Sequence, residues 1–244
     1  MDLVTPQSAT TNHLLRALSA EDAALLVPHL ETVELGQRFV LERSQVPISH
    51  IYFPTAGIAS TVASAGRDRL GEVGLFGRDG MSGTCVVMDD DRTPHESFMQ
   101  VAGEGQRIAS VRLREAMNES PTLRRVFLRF VKVMLVQTGQ TAVANAQARL
   151  ENRLCRWLLM CHDRVDGDSL AITHEFLAMM LGVRRAGVTT ATHLLESRGL
   201  IRAIRGSIEI LDRAGLEECA EGIYGVPEAE YERLVGVSPR ESRS

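Results

Sequence analysis

The chain is poor in the features that mark several functional classes. Its four cysteines, Cys85, Cys155, Cys161 and Cys219, are scattered along 244 residues. No CxxC pair exists to hold zinc or an iron–sulfur cluster. Cys155 and Cys161 stand six apart on one helical stretch and share no face, so buried, reduced thiols are expected. A close HxH pair with a later carboxylate, a P-loop, a Ser/His/Asp pattern and a dinucleotide-binding glycine fingerprint are all missing. His50 and His95 stand alone. No catalytic residue, metal site or cofactor is therefore expected, and an enzyme is not indicated. Long apolar runs are absent too: residues 126–136 are interrupted by Arg129 and Lys132 and are too short to cross a bilayer. The start, MDLVTPQSATTNHLL, has no basic region followed by an apolar core. A cytoplasmic protein with no membrane partner is expected. There is no excess of positive charge either, with 27 Lys and Arg against 31 Asp and Glu and a net charge of −4. That excludes a uniformly basic coat but not a local basic surface.

What is present suits an ordinary globular chain, 44% apolar and 24% charged, long enough for about two domains. Residues 12–35 carry Leu14, Leu15, Leu18, Leu25, Leu26 and Leu30 at helical spacing, and Ser19 at the head of SAED divides them into two short helices. From Gly36 to about Ser110, short β-rich runs (RFVLE, HIYF, IASTVAS, EVGLF, GTCVVM, SFMQVA, QRIASV) alternate with Gly, Pro and Asp turn signals. That spacing predicts an antiparallel sandwich or small barrel.

Ser110 can cap a short helix through Met117. Ser120-Pro121 is a cap followed by proline at the first helical position, and it opens a long helix, TLRRVFLRFVKVMLVQTGQTAVANAQ. Along it Phe127, Phe130, Met134, Gln137, Thr141 and Ala144 recur at alternating three- and four-residue steps, a seam for a partner helix. Leu128, Val131, Val133 and Val136 leave further apolar surface. A homodimer joined through Phe127, Phe130, Met134, Gln137 and Thr141 is expected, with packing of this seam on the helix's own domain as the alternative. A helix over about residues 148–165 ends at Asp166-Gly167-Asp168. Residues 215–235 read as surface helices, and the terminal ESRS is expected to fray.

Residues 171–212 have the plan of a winged helix-turn-helix. Thr173 can cap the first helix, with Glu175 in its first turn. Phe176, Leu177, Met180 and Leu181 supply an apolar face, Gly182 the turn, and Val183 a plug between the helices. In the second helix Val188, Ala191, Leu194 and Leu195 are expected inward, and Arg184, Arg185, Thr189, Thr190, Thr192 and His193 outward. Such a face suits duplex DNA. Its N-terminal end enters the major groove, Arg185 offers a bidentate fork to guanine, and Thr189 or Thr190 reaches a base edge, a phosphate or a thymine methyl. His193 is better placed for a phosphate. Between residues 183 and 205, Arg184, Arg185, Arg198, Arg202 and Arg205 stand against Glu196 alone, a locally positive face. Arg205-Gly206 falls at a hairpin tip that, with Arg202, fits a wing along the DNA backbone.

The stretches ARLENRLCRWLLMCHDRV, ITHEFLAMMLGVRRAGVTTATHLLESRGLI and IRGSIEILDRAGLE resemble the winged-helix domain of the Crp/Fnr family of bacterial transcription regulators. HIYFPTAGIAS and EVGLFGRDGMSG are similar, at the level of fold, to the β-roll of a branch of that family. The resemblance implies an α+β chain with an N-terminal antiparallel β-roll (a cyclic-nucleotide-binding-like jelly roll) and its helices over residues 1–110. A short helix and a long dimerisation helix follow over 111–146, then a winged helix-turn-helix over 147–213 and a helical tail over 214–244. It implies a homodimer on a pseudo-palindromic site, with double-stranded DNA as partner and RNA polymerase as a candidate partner. Arg185 matches the family's first base-contacting arginine and Thr173 a phosphate-contacting threonine. Where the family has a serine cap, a glutamate and a second base-reading arginine, this chain has Arg184, Ala186 and Thr190, so the site read should differ.

In cyclic-nucleotide-binding members of the family a Gly-Glu pair holds the ribose and an Arg-Ser pair the phosphate. The corresponding residues here are Gly83-Thr84 and Arg92-Thr93. The glutamate is missing and Asp89-Asp90-Asp91 adjoin, so Thr84, Arg92 and Thr93 mark an effector pocket for which a cyclic nucleotide is not expected. Gly71-Glu72 reads as part of a strand and turn. The competing readings are a cupin-type binding protein or enzyme with a C-terminal scaffold, and a DNA-binding protein without an effector.

Overall fold

The computed structural model describes residues 11–64, 66 and 70–240; the ESRS terminus lies outside them. Two short helices, α1 (His13–Arg16) and α2 (Ala20–Leu26), divide as expected at Ser19, whose hydroxyl accepts from the Asp22 N–H at 3.1 Å. Strands β1 (Glu31–Leu35), β2 (Val40–Glu42), β3 (His50–Pro54), β4 (Ile58–Ser64), β5 (Leu70–Phe76), β6 (Glu96–Val101) and β7 (Gly103–Ala109) follow. They form a three-stranded sheet, β1-β7-β3, and a four-stranded sheet, β2-β6-β4-β5, with antiparallel pairing throughout. This is the expected β-roll.

Two local expectations are corrected. The end of the first leucine-rich stretch is not helical: residues 31–35 are β1, registered along the edge of β7 from Glu31 opposite Arg107 to Leu35 opposite Gly103. GTCVVM is not a strand but the turn into a short helix, α3 (Thr84–Val87). Gly83 takes a left-handed φ of 74°, and a Cβ there would lie 2.0 Å from the Ile51 side chain, so only glycine turns the chain here without strain.

The next helix, α4 (Ser110–Glu119), contains Ser110 as its first residue rather than as its cap, because that hydroxyl donates to the Ile48 carbonyl at 2.6 Å. The long helix α5 (Pro121–Gln147) starts as expected, with the Ser120 hydroxyl accepting from the Leu123 N–H. Its expected seam faces the other way. Phe127 and Phe130 are fully buried in the core that joins α5 to the β-roll, and Met134 packs against the same core. The Phe127 ring lies 6.0 Å from that of Phe53. Gln137 accepts from the Leu75 N–H at 2.7 Å and donates to its carbonyl at 3.1 Å, and half-buried Thr141 donates back to the Gln137 carbonyl. The dimer role expected of Phe127, Phe130, Met134, Gln137 and Thr141 is therefore corrected: Phe127, Phe130, Met134 and Gln137 hold α5 on the β-roll, and the hydroxyl of Thr141 bonds within α5. The three-and-four spacing records an apolar face but not which layer covers it. Among the described residues, the large apolar side chains of α5 left exposed are Leu128, Leu135 and Val143.

The C-terminal half comprises α6 (Leu150–His162), β8 (Ser169–Leu170), α7 (His174–Leu181), α8 (Arg185–Ser197), β9 (Ile201–Ile204), β10 (Ser207–Ile210), α9 (Arg213–Cys219) and α10 (Val226–Val235). The sheet β8-β10-β9 is the wing, and Arg205-Gly206 forms its tip. Leu158, Leu177, Val188, Leu195, Ile208 and Leu216 build its core, which also takes in Ile58, Val62 and Leu75 from the β-roll. The Phe98 and Phe176 rings meet across that boundary at 6.3 Å. Arg164 binds the Asp79 carboxylate through Nε at 2.9 Å and Nη2 at 2.6 Å, with both side chains buried. Arg78 meets Asp166 at 2.6 Å. The tail is more than a surface decoration, since Tyr231 of α10 sits in the first core and Arg129 of α5 donates to the Leu234 carbonyl. All four cysteines are buried and free, as their scatter suggests.

Candidate nucleic-acid interface

The helix-turn-helix is set by its junctions. The Thr173 hydroxyl accepts from the Phe176 N–H at 3.3 Å and caps α7. At the other end Gly182 turns left-handed, φ 63°, and the N–H groups of Gly182 and Val183 bond the carbonyls of Met179 and Ala178 at 3.2 and 2.9 Å. The chain then re-enters a helix at Arg184. Val188, Ala191 and Leu195 are buried as expected, but Thr192 replaces Leu194 on the inner face and Leu194 is 42% exposed. At 3.6 residues per turn, a residue four after Val188 returns within about 40° of it, whereas one six after is about 120° away. Helical geometry outweighs Leu194's apolar character here.

Arg184 is the cap residue of α8, in extended conformation, and its side chain makes no capping bond. A guanidinium has no acceptor, so no side chain caps the first turn at the positive end of the helix dipole. The Gly187 N–H turns back to the Arg184 carbonyl at 2.9 Å. Arg184, Arg185 and Arg205 are exposed, and none of them enters an ion pair among the described residues. Thr189 and Thr190 donate to the carbonyls of Arg185 and Ala186 at 3.2 and 3.1 Å, which commits their hydrogens and leaves lone pairs outward as acceptors. Thr189 also lies 3.3 Å from His174 Nδ1, a link between the two helices. His193 Nδ1 is 3.4 Å from Glu196. Arg202 is already paired with Glu209 across the wing at 2.8 Å, and Arg198 donates to Cys219 Sγ at 3.3 Å. The structure thus brings Arg184, Arg185, Thr189, Thr190 and His193 onto α8, with Thr173 at the head of α7 and Arg202 and Arg205 on the wing.

The expected effector residues converge elsewhere. Thr84, Arg92 and Thr93 all line one cavity of about 410 Å³ between α3, β5 and α5. Glu42, which the sequence marked only as the end of a strand, lines it as well. Its carboxylate accepts from the Gly83 N–H and from the Ser97 hydroxyl, while burial raises its carboxyl above the ordinary value. Among the described residues no cluster of three His, Cys, Asp or Glu could hold a metal, and no helix is long and apolar enough to cross a membrane.

Glu72 lies within β5 as expected, but it has a role that its strand position did not signal. It is buried between the two halves of the chain, accepting from Ser60 at 2.7 Å and from Trp157 Nε1 at 2.9 Å. Burial pushes its carboxyl up to about 7, against the pull of those hydrogen bonds and of Arg156 and Arg164.

Residues 152–219 match the Crp-like helix-turn-helix domain. The transcriptional regulator SdrP of Thermus thermophilus is 31% identical over 110 residues, 43% of this chain and 54% of SdrP, so the match spans about half of that relative. A Crp/Fnr-family transcriptional regulator from Eubacterium rectale superposes with a TM-score of 0.66 at 18% identity, over 86% of this chain and 98% of that one. A CRP/FNR-family regulator from Thermus thermophilus gives 0.64 at 24% identity, over 79% and 99%. The c-di-GMP-responsive global regulator CLP of Xanthomonas campestris gives 0.63 at 19% identity, over 79% and 99%. These structural likenesses establish the fold. The relatives are transcription regulators rather than enzymes, and the cupin-enzyme reading is not favoured. The domain match, the curated relative and the shared architecture agree on a Crp-like helix-turn-helix over residues 152–219, set in a chain with the fold of Crp/Fnr regulators.

Proposed function

We propose that the protein is a cytoplasmic, homodimeric transcription regulator that reads a pseudo-palindromic DNA site with α8 in the major groove. The observation that carries this reading is the open N-terminal end of α8, where Arg184 and Arg185 are exposed and unpaired beside uncapped backbone N–H groups. Arg185 is the base reader, and Arg184, Thr173, His193 and Arg205 serve phosphates. Arg202 serves the backbone only if it leaves Glu209. Thr189 and Thr190 touch base edges as acceptors, so the sequence read departs from that of relatives with arginine at the second position.

Leu128 and Leu135 are seven residues apart and exposed, with exposed Ala142 a further seven along and Val143 beside it. That heptad stripe is the surface proposed for the partner copy. RNA polymerase is the partner this role calls for once DNA is bound. The cavity lined by Thr84, Arg92 and Thr93 is the proposed effector site, and its carboxylates disfavour a cyclic nucleotide.

Selection of bound fragments from a random-duplex pool tests the proposal. Enriched half-sites about one helical turn apart, with affinity falling steeply as salt rises, are the expected result. Failure to enrich any sequence overturns it.

A further inference from the structure

We propose that the cavity between α3, β5 and α5 takes a small molecule with an apolar body and a cationic, hydrogen-bond-donating head, held at Glu42. The inference rests on the reading of this cavity as an effector site. Its volume of about 410 Å³ falls within the range of small-molecule pockets. Phe76, Met81, Met88, Val131, Met134 and Leu135 make its apolar side. Met88 is 54% exposed, so an apolar body seated there covers surface that the chain itself leaves open.

The polar groups are the reverse of an anion site. The backbone N–H of Gly83, which a phosphate oxygen would seek, already donates to the Glu42 carboxylate, and Ser97 donates to its other oxygen at 2.7 Å. Asp90 brings a second carboxylate to the lining. Arg92, half-exposed on the lining, is engaged by a carboxylate of its own, with its Nε bonded to Asp91 at 3.1 Å. His95, also on the lining, acts electrostatically on Glu42 and opposes the effect of its burial. An incoming anion meets two carboxylates on the lining, the buried Glu42 and the exposed Asp90, and is repelled by both. A cationic head meets them as partners and supplies the counter-charge that the buried Glu42 lacks. Leu135 lies both on the cavity and on the proposed dimer stripe, so an occupant would press on the seam between subunits.

The test uses the full chain and two probes with one carbon skeleton and opposite heads, 3-phenylpropylamine and 3-phenylpropanoate, with cyclic AMP as a third. Calorimetric titration is expected to show the amine binding at least about tenfold more tightly than either anion. Glu42→Gln is expected to erase that preference. Because Glu42 is buried and its loss could impair folding, Met88→Trp at the exposed rim provides a second variant and is expected to abolish amine binding by filling the cavity. Equal or tighter binding of an anion overturns the inference, as does absence of amine binding up to millimolar concentration. Amine binding unchanged in both variants overturns it too. Duplex binding is measured without any probe: selective DNA binding with no amine binding defeats this inference alone, and amine binding with no DNA selection defeats the regulator reading alone.

Discussion

Replacing Glu72 with glutamine should change how stability depends on pH. In the folded chain its carboxyl is raised from the ordinary 4.5 to about 7, chiefly by burial. A raised carboxyl favours folding when protonated. The contribution of this group is therefore fully present below about pH 4.5 and is lost as pH rises through 7. At about 1.4 kcal/mol for each tenfold change in proton affinity, the span corresponds to roughly 3 kcal/mol. Glu72→Gln keeps an acceptor for Trp157 Nε1 and places an amide donor toward Ser60, but carries no charge to bury. The variant should gain on the wild type by about 3 kcal/mol between acidic and mildly alkaline pH. Urea unfolding at a series of pH values, followed by far-ultraviolet circular dichroism and by the fluorescence of Trp157, the single tryptophan, measures the difference. Parallel pH profiles for the two proteins would refute the reasoning, since they would mean that Glu72 is ionised at no cost.

Other substitutions separate the remaining roles. Arg185→Ala should cost about 1–3 kcal/mol at one base-pair position in fluorescence-anisotropy titrations; an equal loss on every sequence would make it a phosphate contact. Leu135→Glu should leave the melting temperature of the subunit unchanged but yield monomers in light scattering. Phe127→Ala should instead cost about 3–5 kcal/mol of stability, and the reverse pattern would return the seam to its expected face. Thr192→Val removes a buried hydroxyl that has no hydrogen-bond partner among the described residues and should raise stability by about 1 kcal/mol without affecting DNA binding. A drop in DNA affinity at unchanged stability would put Thr192 back on the contacting surface.

The parts of the fold legible in the sequence are those written in local chemistry. Ser19, Ser120 and Thr173 act as caps because their hydroxyls lie three residues before the N–H they serve. Gly182 and Gly206 mark turns through their positive φ. What was not legible depends on which surfaces meet. The apolar face of α5 reads equally well for a partner copy and for a β-sheet, and only the register of β5 beside Gln137 decides between them. Glu42 and Glu72 look like ordinary strand glutamates, and their burial follows from contacts 55 and 85 residues away. The proposed recognition residues were legible because an exposed helix end is specified by its own sequence, whereas the cavity is assembled from β2, β5, α3 and α5.

The core that Ile58, Val62 and Leu75 share with Leu177 and Val188 has a mechanical consequence. Among the described residues there is no free hinge between the β-roll and the C-terminal half. Swinging one from the other would open apolar surface and strand the buried Asp79–Arg164 pair, a loss of several kcal/mol. Such a chain should melt in one cooperative step, with calorimetric and van't Hoff enthalpies in agreement. If the chain acts as the proposed dimer, a signal that reaches DNA would travel as a rotation of whole subunits about α5, altering the spacing of the two α8 helices rather than their shape.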